Sequence, residues 1–362
     1  MSDKAIFLAA GGTGGHLFPA EALAHALASR RVEVELVTDA RALRYGDVFP
    51  ARAIHTLPAG TPRGGSLIAR AQAVAQLAQG VALAVALLRK RKPRAVIGFG
   101  GYPTVPPILA ATFLGIPAVL HESNGVMGKA NYFLAGRVDK IAAGLSNLQT
   151  APAWRDKIVF TGNPVRPNVL AASRRPFPDI SQGVFHLLVT GGSQGARVMS
   201  DIVPDALAAL SADLRQRLNV VQQAREEDLS RVKEIYARAG IMSEVSPFFN
   251  DLPARIANAH FVISRAGAST VSELAVIGRP AMLVPLPHAL DQDQAANAAF
   301  LTQAGAAETV RQNDFTQTFL TQRLAELIEK PDSLIQRAYA AREVGVADAA
   351  ERLAELVIGL AI

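Results

Sequence analysis

Short apolar runs alternate with alanine-rich helical stretches along almost the whole chain, and this alternation limits the folds open to it. The runs fall at 5–9, 32–38, 53–57, 95–98, 118–121, 140–143 and 158–161. A second series follows at 185–190, 219–222, 243–247, 261–264, 281–284 and 307–310. Most are continuously apolar, as strands are when helices cover both faces of a parallel sheet. Helical patterns occupy the intervals, at 19–29, 196–210, 227–239, 270–276 and 294–303. Repeated β-α-β units of this kind predict an α/β fold with doubly wound parallel sheets. At 362 residues the chain exceeds the roughly 250–300 that one core supports, so the two series predict two domains. Two prolines and a glycine within 162–168 interrupt regular structure there. The domains are therefore expected at 1–163 and 164–341. The final helical stretch, 334–362, is long for the second domain alone. It is expected to bend near Gly345 and return its 342–362 portion to the first domain.

Composition narrows the chemistry. There is no cysteine, which removes disulfide scaffolds, thiolate metal sites and thiol catalysis and fits a reducing cytoplasm. The apolar start at 5–10 leads directly into glycines and reads as a first strand, not a signal peptide. A net charge of +6 invites nucleic acid, anionic lipid or a phosphate-bearing substrate. The densest basic run, Arg89-Lys90-Arg91-Lys92, has no nucleic-acid motif around it, which argues against nucleic acid. The stretch before it, 66–88, is rich in Ala, Leu and Val, but Arg70, Gln72, Gln76 and Gln79 interrupt it as a membrane span. It reads as a buried helix ending in solvated cations, or as a helix that dips into an anionic bilayer surface. Both hold if one face packs and another stays exposed.

Three glycine clusters follow strands: Gly11-Gly12-Thr13-Gly14-Gly15-His16, Gly98-Phe99-Gly100-Gly101-Tyr102-Pro103 and Gly191-Gly192-Ser193-Gln194-Gly195-Ala196. Glycine admits positive φ and lets a ligand approach bare N–H groups, and a helix starting there presents the positive end of its dipole. These loops suit a diphosphate. The dinucleotide fingerprint G-x-G-x-x-G fails at both early loops, because its third glycine would be Leu17 or Pro103. Asp39, after the second strand, is thus not supported as the ribose-binding acid of a dehydrogenase. A Gly-Lys-Ser/Thr phosphate loop is absent as well.

In the second half, the segment from Ser264 to Glu273 passes from a strand through a small-residue turn into a helix. Its small residues allow a diphosphate close to the helix start, and Glu273 lies one turn in, where a carboxylate could accept hydrogen bonds from both ribose hydroxyls. Ser269 or Ser272 could equally cap the helix while Glu273 complements its dipole. Asp291 and Asp293 form a D-x-D pattern that could chelate a metal. No other acidic cluster supports it, and hydrogen bonding of a sugar by Asp293 and Gln294 is favoured.

The segments GGTGGHLFPA (11–20), GFGGYPT (98–104), HESN (121–124), TGNPVR (161–166), GGSQGA (191–196), SRAGASTVSE (264–273) and DQAANA (293–298) together cover nearly the whole chain. In order and spacing the chain resembles the family of bacterial glycosyltransferases that convert lipid I to lipid II in peptidoglycan synthesis. The resemblance implies a GT-B architecture, two Rossmann-like domains facing a cleft. It implies an inverting transfer of GlcNAc from UDP-GlcNAc to the C4 hydroxyl of MurNAc in undecaprenyl-diphosphate-MurNAc-pentapeptide. The second domain would bind the donor and the first the acceptor diphosphate, at the cytoplasmic face of the inner membrane, as a peripheral protein that could meet other cell-wall synthesis proteins.

By motif position, Thr13, Gly14 and Gly15 would line the cleft near the donor sugar, and Gly14, Gly15, Gly100, Gly101 and Tyr102 would face the acceptor diphosphate. Asn124 would bond GlcNAc, Arg166 would reach the nucleotide side and Ser193 the diphosphate. The backbone at Phe249 would read uracil. Ala268, Ser269, Thr270, Val271 and Ser272 would hold diphosphate and ribose, with Glu273 on the ribose hydroxyls and Gln294 on GlcNAc. Three positions depart from the commoner family pattern: Ser123, Phe249 and Asp293. His16, closing the first glycine loop, is the expected base or positioner on the acceptor side. No metal site and no tightly bound cofactor are expected, and dependence on a free divalent ion is left open. Two rivals remain: another nucleotide-sugar enzyme such as a UDP-GlcNAc 2-epimerase, and a non-enzymatic sensor or scaffold.

Overall fold

The structure is a computed structural model that describes residues 4–11, 14–39, 49–60, 67–192, 195–287 and 293–361. Its strands form two parallel sheets. In the first, β1 (Ile6–Ala9), β2 (Val34–Thr38), β3 (Ala53–Thr56), β4 (Ala95–Gly98), β5 (Ala118–Glu122), β6 (Lys140–Ala143) and β7 (Ile158–Phe160) lie in the order β3-β2-β1-β4-β5-β6-β7. In the second, β8 (Phe185–Thr190), β9 (Leu218–Gln223), β10 (Met242–Ser246), β11 (Phe261–Ser264), β12 (Ala281–Leu283) and β13 (Ala307–Thr309) run β10-β9-β8-β11-β12-β13. Every residue of β1, β2, β4 and β5 is buried, which is why β1 and β4 read as unbroken apolar runs, while β2 and β5 bury Glu35, His121 and Glu122 among apolar neighbours. Successive residues serve opposite faces. Leu8 and Ile97 pack with Leu23, Leu27 and Leu353 on one side of the first sheet. Phe7 and Val96 pack with Leu88 and Ile108 on the other.

The chain divides into two compact units, Met1–Arg166 with Ala347–Ile362, and Pro167–Val346. The first boundary lies three residues beyond the expected 163/164. The C-terminal expectation needs correction, because the stretch from 334 onward is two helices, not one bent helix. Helix Asp332–Val344 stays with the second unit and helix Ala349–Leu360 packs on Gly14–Ser29 of the first. Residues 342–346 are held back by local fit. Arg342 donates to the carbonyls of Arg175 (2.6 Å) and Ser173 (3.2 Å). A Cβ at Gly345 would lie 2.6 Å from the Ala275 carbonyl oxygen. The last helix is tied to the first unit by Arg30, paired with Glu351 and Glu355.

Arg279 is the largest fully buried side chain. Its five donors meet the carbonyls of Pro176, Ala257, Ile277 and Gly278 at 2.5–3.1 Å. Burial pushes its pKa down to about 10, so it remains a cation whose partners are backbone dipoles.

The 66–88 stretch lies in helix Leu67–Arg91, which packs one stripe and exposes another. Ala73, Gly80, Ala84 and Leu88 form a buried stripe, while Val74 (58% exposed) and Leu83 (45% exposed) lie on the open face. A Cβ at Gly80 would meet the Pro58 carbonyl oxygen at 2.2 Å and Pro106 Cγ at 3.0 Å, so glycine here allows close packing. By length and composition the segment Ala69–Arg91 could cross a membrane, yet one stripe packs against helix Val105–Phe113 and its end is pinned. Arg91 lies 3.3 Å from the buried Glu35 carboxylate, which Arg52 (2.6 Å) and His55 (2.7 Å) also contact. Burial alone would raise the Glu35 pKa, but these three partners hold it below its ordinary value.

Candidate active site

In each sheet the strand order reverses at a central pair: β1 and β4 in the first, β8 and β11 in the second. Loops leaving such a pair diverge, and ligands of open α/β sheets bind at the carboxyl ends there. Each expected glycine loop leaves one of these strands.

In the first unit the loops after β1 and β4 meet around His16. A Cβ at Gly100 would lie 3.3 Å from His16 Nε2, one at Gly101 3.4 Å from Cε1, and one at Gly11 3.7 Å from Nδ1. Gly100 and Gly101 adopt φ of 90° and 75°, which other residues rarely do. These glycines therefore admit the imidazole, a role that sequence reasoning had given only to a phosphate. Gly14 opens helix Gly14–Ser29, and its missing side chain leaves room for Phe18, whose ring would stand 2.9 Å from a Cβ there. Phe18 in turn carries the Arg166 guanidinium, 4.3 Å from its centroid. A Cβ at Gly15 would meet nothing within 4 Å, so that backbone faces open space. Tyr102 opens the short helical turn Tyr102–Thr104 beside the cradle.

Behind His16, β5 ends in His121-Glu122. The buried Glu122 carboxylate accepts from the N–H groups of Asn124 and Gly128 (3.0 Å each) and from the side chains of Asn124 (3.2 Å) and Asn131 (2.8 Å). Burial raises its pKa against the pull of those four bonds. Asn124, expected at the sugar, is thus held by Glu122. Asn131 was not singled out from the sequence; it also donates to the His121 carbonyl (3.1 Å). Asn163 donates to the Ser123 carbonyl (2.9 Å), and a Cβ at Gly144 would stand 1.9 Å from its Oδ1. His121 is fully buried with Nε2 lacking a hydrogen-bond partner. Burial, aided by the nearby His16, pushes its pKa down to about 4.

In the second unit, helix Ala268–Ile277 starts behind Gly267, and its first intrahelical bond runs from the Val271 N–H to the Gly267 carbonyl (3.0 Å). The N–H groups of Ala268, Ser269 and Thr270 remain for an anion. Ser272 and Glu273 are buried, and Val271 is wholly buried with its N–H already given to Gly267, so Val271 presents neither side chain nor N–H to a ligand, while Ala268, Ser269 and Thr270 are half-buried. Gln294 braces the rim: its Oε1 accepts from the N–H groups of Leu286 (3.0 Å) and Ala266 (3.3 Å). Its Nε2 donors are the part left for a sugar. Asn297, wholly buried, donates to the Ala266 carbonyl (3.1 Å). Phe249 is buried under the Arg255 guanidinium, 4.2 Å from its ring centroid. Thr13, Ser193 and Asp291 lie outside the described residues. Among the described residues no cluster of acidic and histidine side chains could hold a metal ion.

Two family profiles fit this arrangement. The glycosyltransferase family 28 N-terminal domain matches residues 6–143 and its C-terminal domain residues 186–353. The chain belongs to glycosyltransferase family 28. A Methylobacterium sp. (strain 4-46) protein named UDP-N-acetylglucosamine--N-acetylmuramyl-(pentapeptide) pyrophosphoryl-undecaprenol N-acetylglucosamine transferase is 56% identical, covering 100% of this chain and 98% of its own. A Sinorhizobium fredii protein of the same name is 54% identical, covering 100% and 96%. Among solved structures, Acinetobacter baumannii MurG superposes with a TM-score of 0.80 at 29% identity, covering 98% of this chain and 99% of that one. A Neisseria meningitidis UDP-GlcNAc 2-epimerase superposes at 0.67 with 15% identity, covering 98% and 100%, a likeness of fold alone. As a family 28 member the chain is a glycosyltransferase whose two Rossmann-like sheets carry the rims described above.

The buried His121 gives a pH prediction. As pH falls from about 6.5 toward about 4, the unfolded chain binds a proton that the folded ring refuses. Stability is therefore full above that window, falls through it and levels off below. His121→Asn should lose on the order of 2 kcal/mol less than the parent between pH 7 and pH 5, read by urea denaturation. An identical loss in both would show that another group carries the dependence.

Proposed function

We propose that this chain transfers GlcNAc from UDP-GlcNAc to the C4 hydroxyl of MurNAc in undecaprenyl-diphosphate-MurNAc-pentapeptide, with inversion to a β linkage. The observation that carries this reading is the full-length identity of 56% to a relative whose name gives the GlcNAc donor and the N-acetylmuramyl-(pentapeptide) pyrophosphoryl-undecaprenol acceptor; the C4 hydroxyl and the inversion come from the family resemblance. The second unit takes the donor. Its helix start at Ala268 receives the diphosphate, Glu273 the ribose hydroxyls and Gln294 the sugar. The first unit takes the acceptor, whose diphosphate meets the loops at Gly14–Gly15 and Gly100–Tyr102.

The acceptor oxygen attacks C1 of GlcNAc, and the bond from C1 to the β-phosphate oxygen breaks with its electron pair leaving on UDP. His16 accepts the hydroxyl proton. A neutral His121 behind it suits that task, because a second imidazolium nearby would oppose protonation of His16. Charge growing on UDP is offset by backbone N–H groups at helix starts and by Arg166.

The open face of helix Leu67–Arg91, with Val74 and Leu83, and the exposed Phe113 would rest on the cytoplasmic surface of the inner membrane. Arg89, Lys90 and Lys92 would lie against anionic headgroups. Such a protein is peripheral, consistent with the packed opposite stripe.

Labelled UDP-GlcNAc with lipid I should yield a labelled lipid-linked disaccharide. Glu273→Ala should raise the KM for UDP-GlcNAc about tenfold or more while leaving kcat within a few-fold. Donor binding without transfer would instead favour a sensor, and UDP release without the lipid product another nucleotide-sugar enzyme. Liposomes containing anionic lipid should bind the chain, more weakly at high salt. Neutralising Arg89, Lys90 and Lys92 should weaken binding further, whereas salt-independent binding unaffected by those changes would return them to a solvated helix end.

A further inference from the structure

The loop after β8 is held from below by the end of β9. Gln223 accepts from Thr190 Oγ1 (2.8 Å) and the Gly191 N–H (3.3 Å), and donates to the Pro247 carbonyl (3.1 Å). Two residues on, the stem of Arg225 fills the space under Gly195. A Cβ there would lie 3.0 Å from Arg225 Cγ, and Gly195 adopts φ of 66°. Arg225 Nε is buried with no hydrogen-bond partner. The nearest carboxylate, Glu227, is 3.8 Å from its terminal nitrogen, beyond hydrogen-bonding reach, and the pair is exposed enough to contribute little.

Other guanidinium groups around this rim are committed. Arg265 donates to the Val284 and Pro285 carbonyls and to Gln312. Arg255 pairs with Glu244 and Asp251 beneath Phe249. Arg197 leans back to Asp201 at 3.5 Å. Arg225 is thus a half-exposed cation (side chain 40% exposed) whose buried Nε has no partner, beside Gly195 in the stretch that follows β8. A buried donor left unpaired is costly, and a planar guanidinium suits two phosphate oxygens at once.

We propose that Arg225 is a ligand of the donor's diphosphate, gripping it from the β9 side of Gly191 and Gly195. The proposal rests on the donor reading of the second unit. As the bond from C1 to the β-phosphate oxygen breaks, the pair passes to that oxygen and the departing UDP gains negative charge. Arg225 offsets that charge.

The test compares UDP with uridine, which lacks the phosphates, on the full chain. Arg225→Met keeps the stem under Gly195 and removes the charge; Arg225→Lys keeps a charge without the fork. Calorimetry should show UDP binding about tenfold weaker in Arg225→Met, with Arg225→Lys between it and the parent. Uridine, measured by displacement, should bind the parent and Arg225→Met equally. UDP affinity unchanged in Arg225→Met, or an equal loss for uridine, overturns the proposal; the latter would make Arg225 a support of the loop. A parent chain that binds no UDP would instead overturn the donor reading itself.

Discussion

Parallel strands put all their following loops at one edge of a sheet, and reversal of strand order opens a gap between two of those loops. Everything proposed for this chain depends on that geometry, because it occurs once in each unit. Between β1 and β4 the gap receives a histidine; between β8 and β11 it exposes a helix start. The proposed anion contacts are backbone N–H groups and two cations at the margins, Arg166 in one unit and Arg225 in the other.

The two rims solve the same problem by different means. In the second unit, side-chain amides do the bracing: Gln223, Gln294 and Asn297 each clamp loops that leave neighbouring strands. In the first, a buried carboxylate does it, with Glu122 gathering four donors from the 124–131 segment. A carboxylate kept in place by several hydrogen bonds against its own desolvation is a stiff anchor, since each donor lost leaves part of the cost of burial uncompensated. That stiffness fixes the wall against which His16 and its glycines sit.

Much of this was legible in the amino-acid order. Each of the thirteen expected apolar runs overlaps a strand; the central ones, such as β1, β4 and β11, are buried throughout, whereas the edge strands β3 and β10 are partly exposed and were marked by their spacing between helical stretches. The glycine loops were legible for the same local reason. What the sequence could not place were contacts between distant segments. Asn131 sits in an ordinary helical stretch and becomes part of the site only when it meets His121 and Glu122. Arg279 reads as a surface cation until the carbonyls of Pro176 and Ala257 surround it. The 334–362 stretch reads as one helix because nothing in its spacing reveals that Gly345 must fit against Ala275. The open face of helix Leu67–Arg91 was half legible: its apolar content was plain, but which stripe packs depends on Gly80 meeting Pro58 and Pro106.

The central claim is that the glycines of the first unit seat His16 so that its ring serves the acceptor hydroxyl. The direct measurement is the kcat of His16→Ala beside its affinity for UDP-GlcNAc. The account predicts a loss of about 10²–10⁴-fold in kcat with donor affinity within about twofold of the parent. Equal losses in both, or a kcat left near that of the parent, would contradict it.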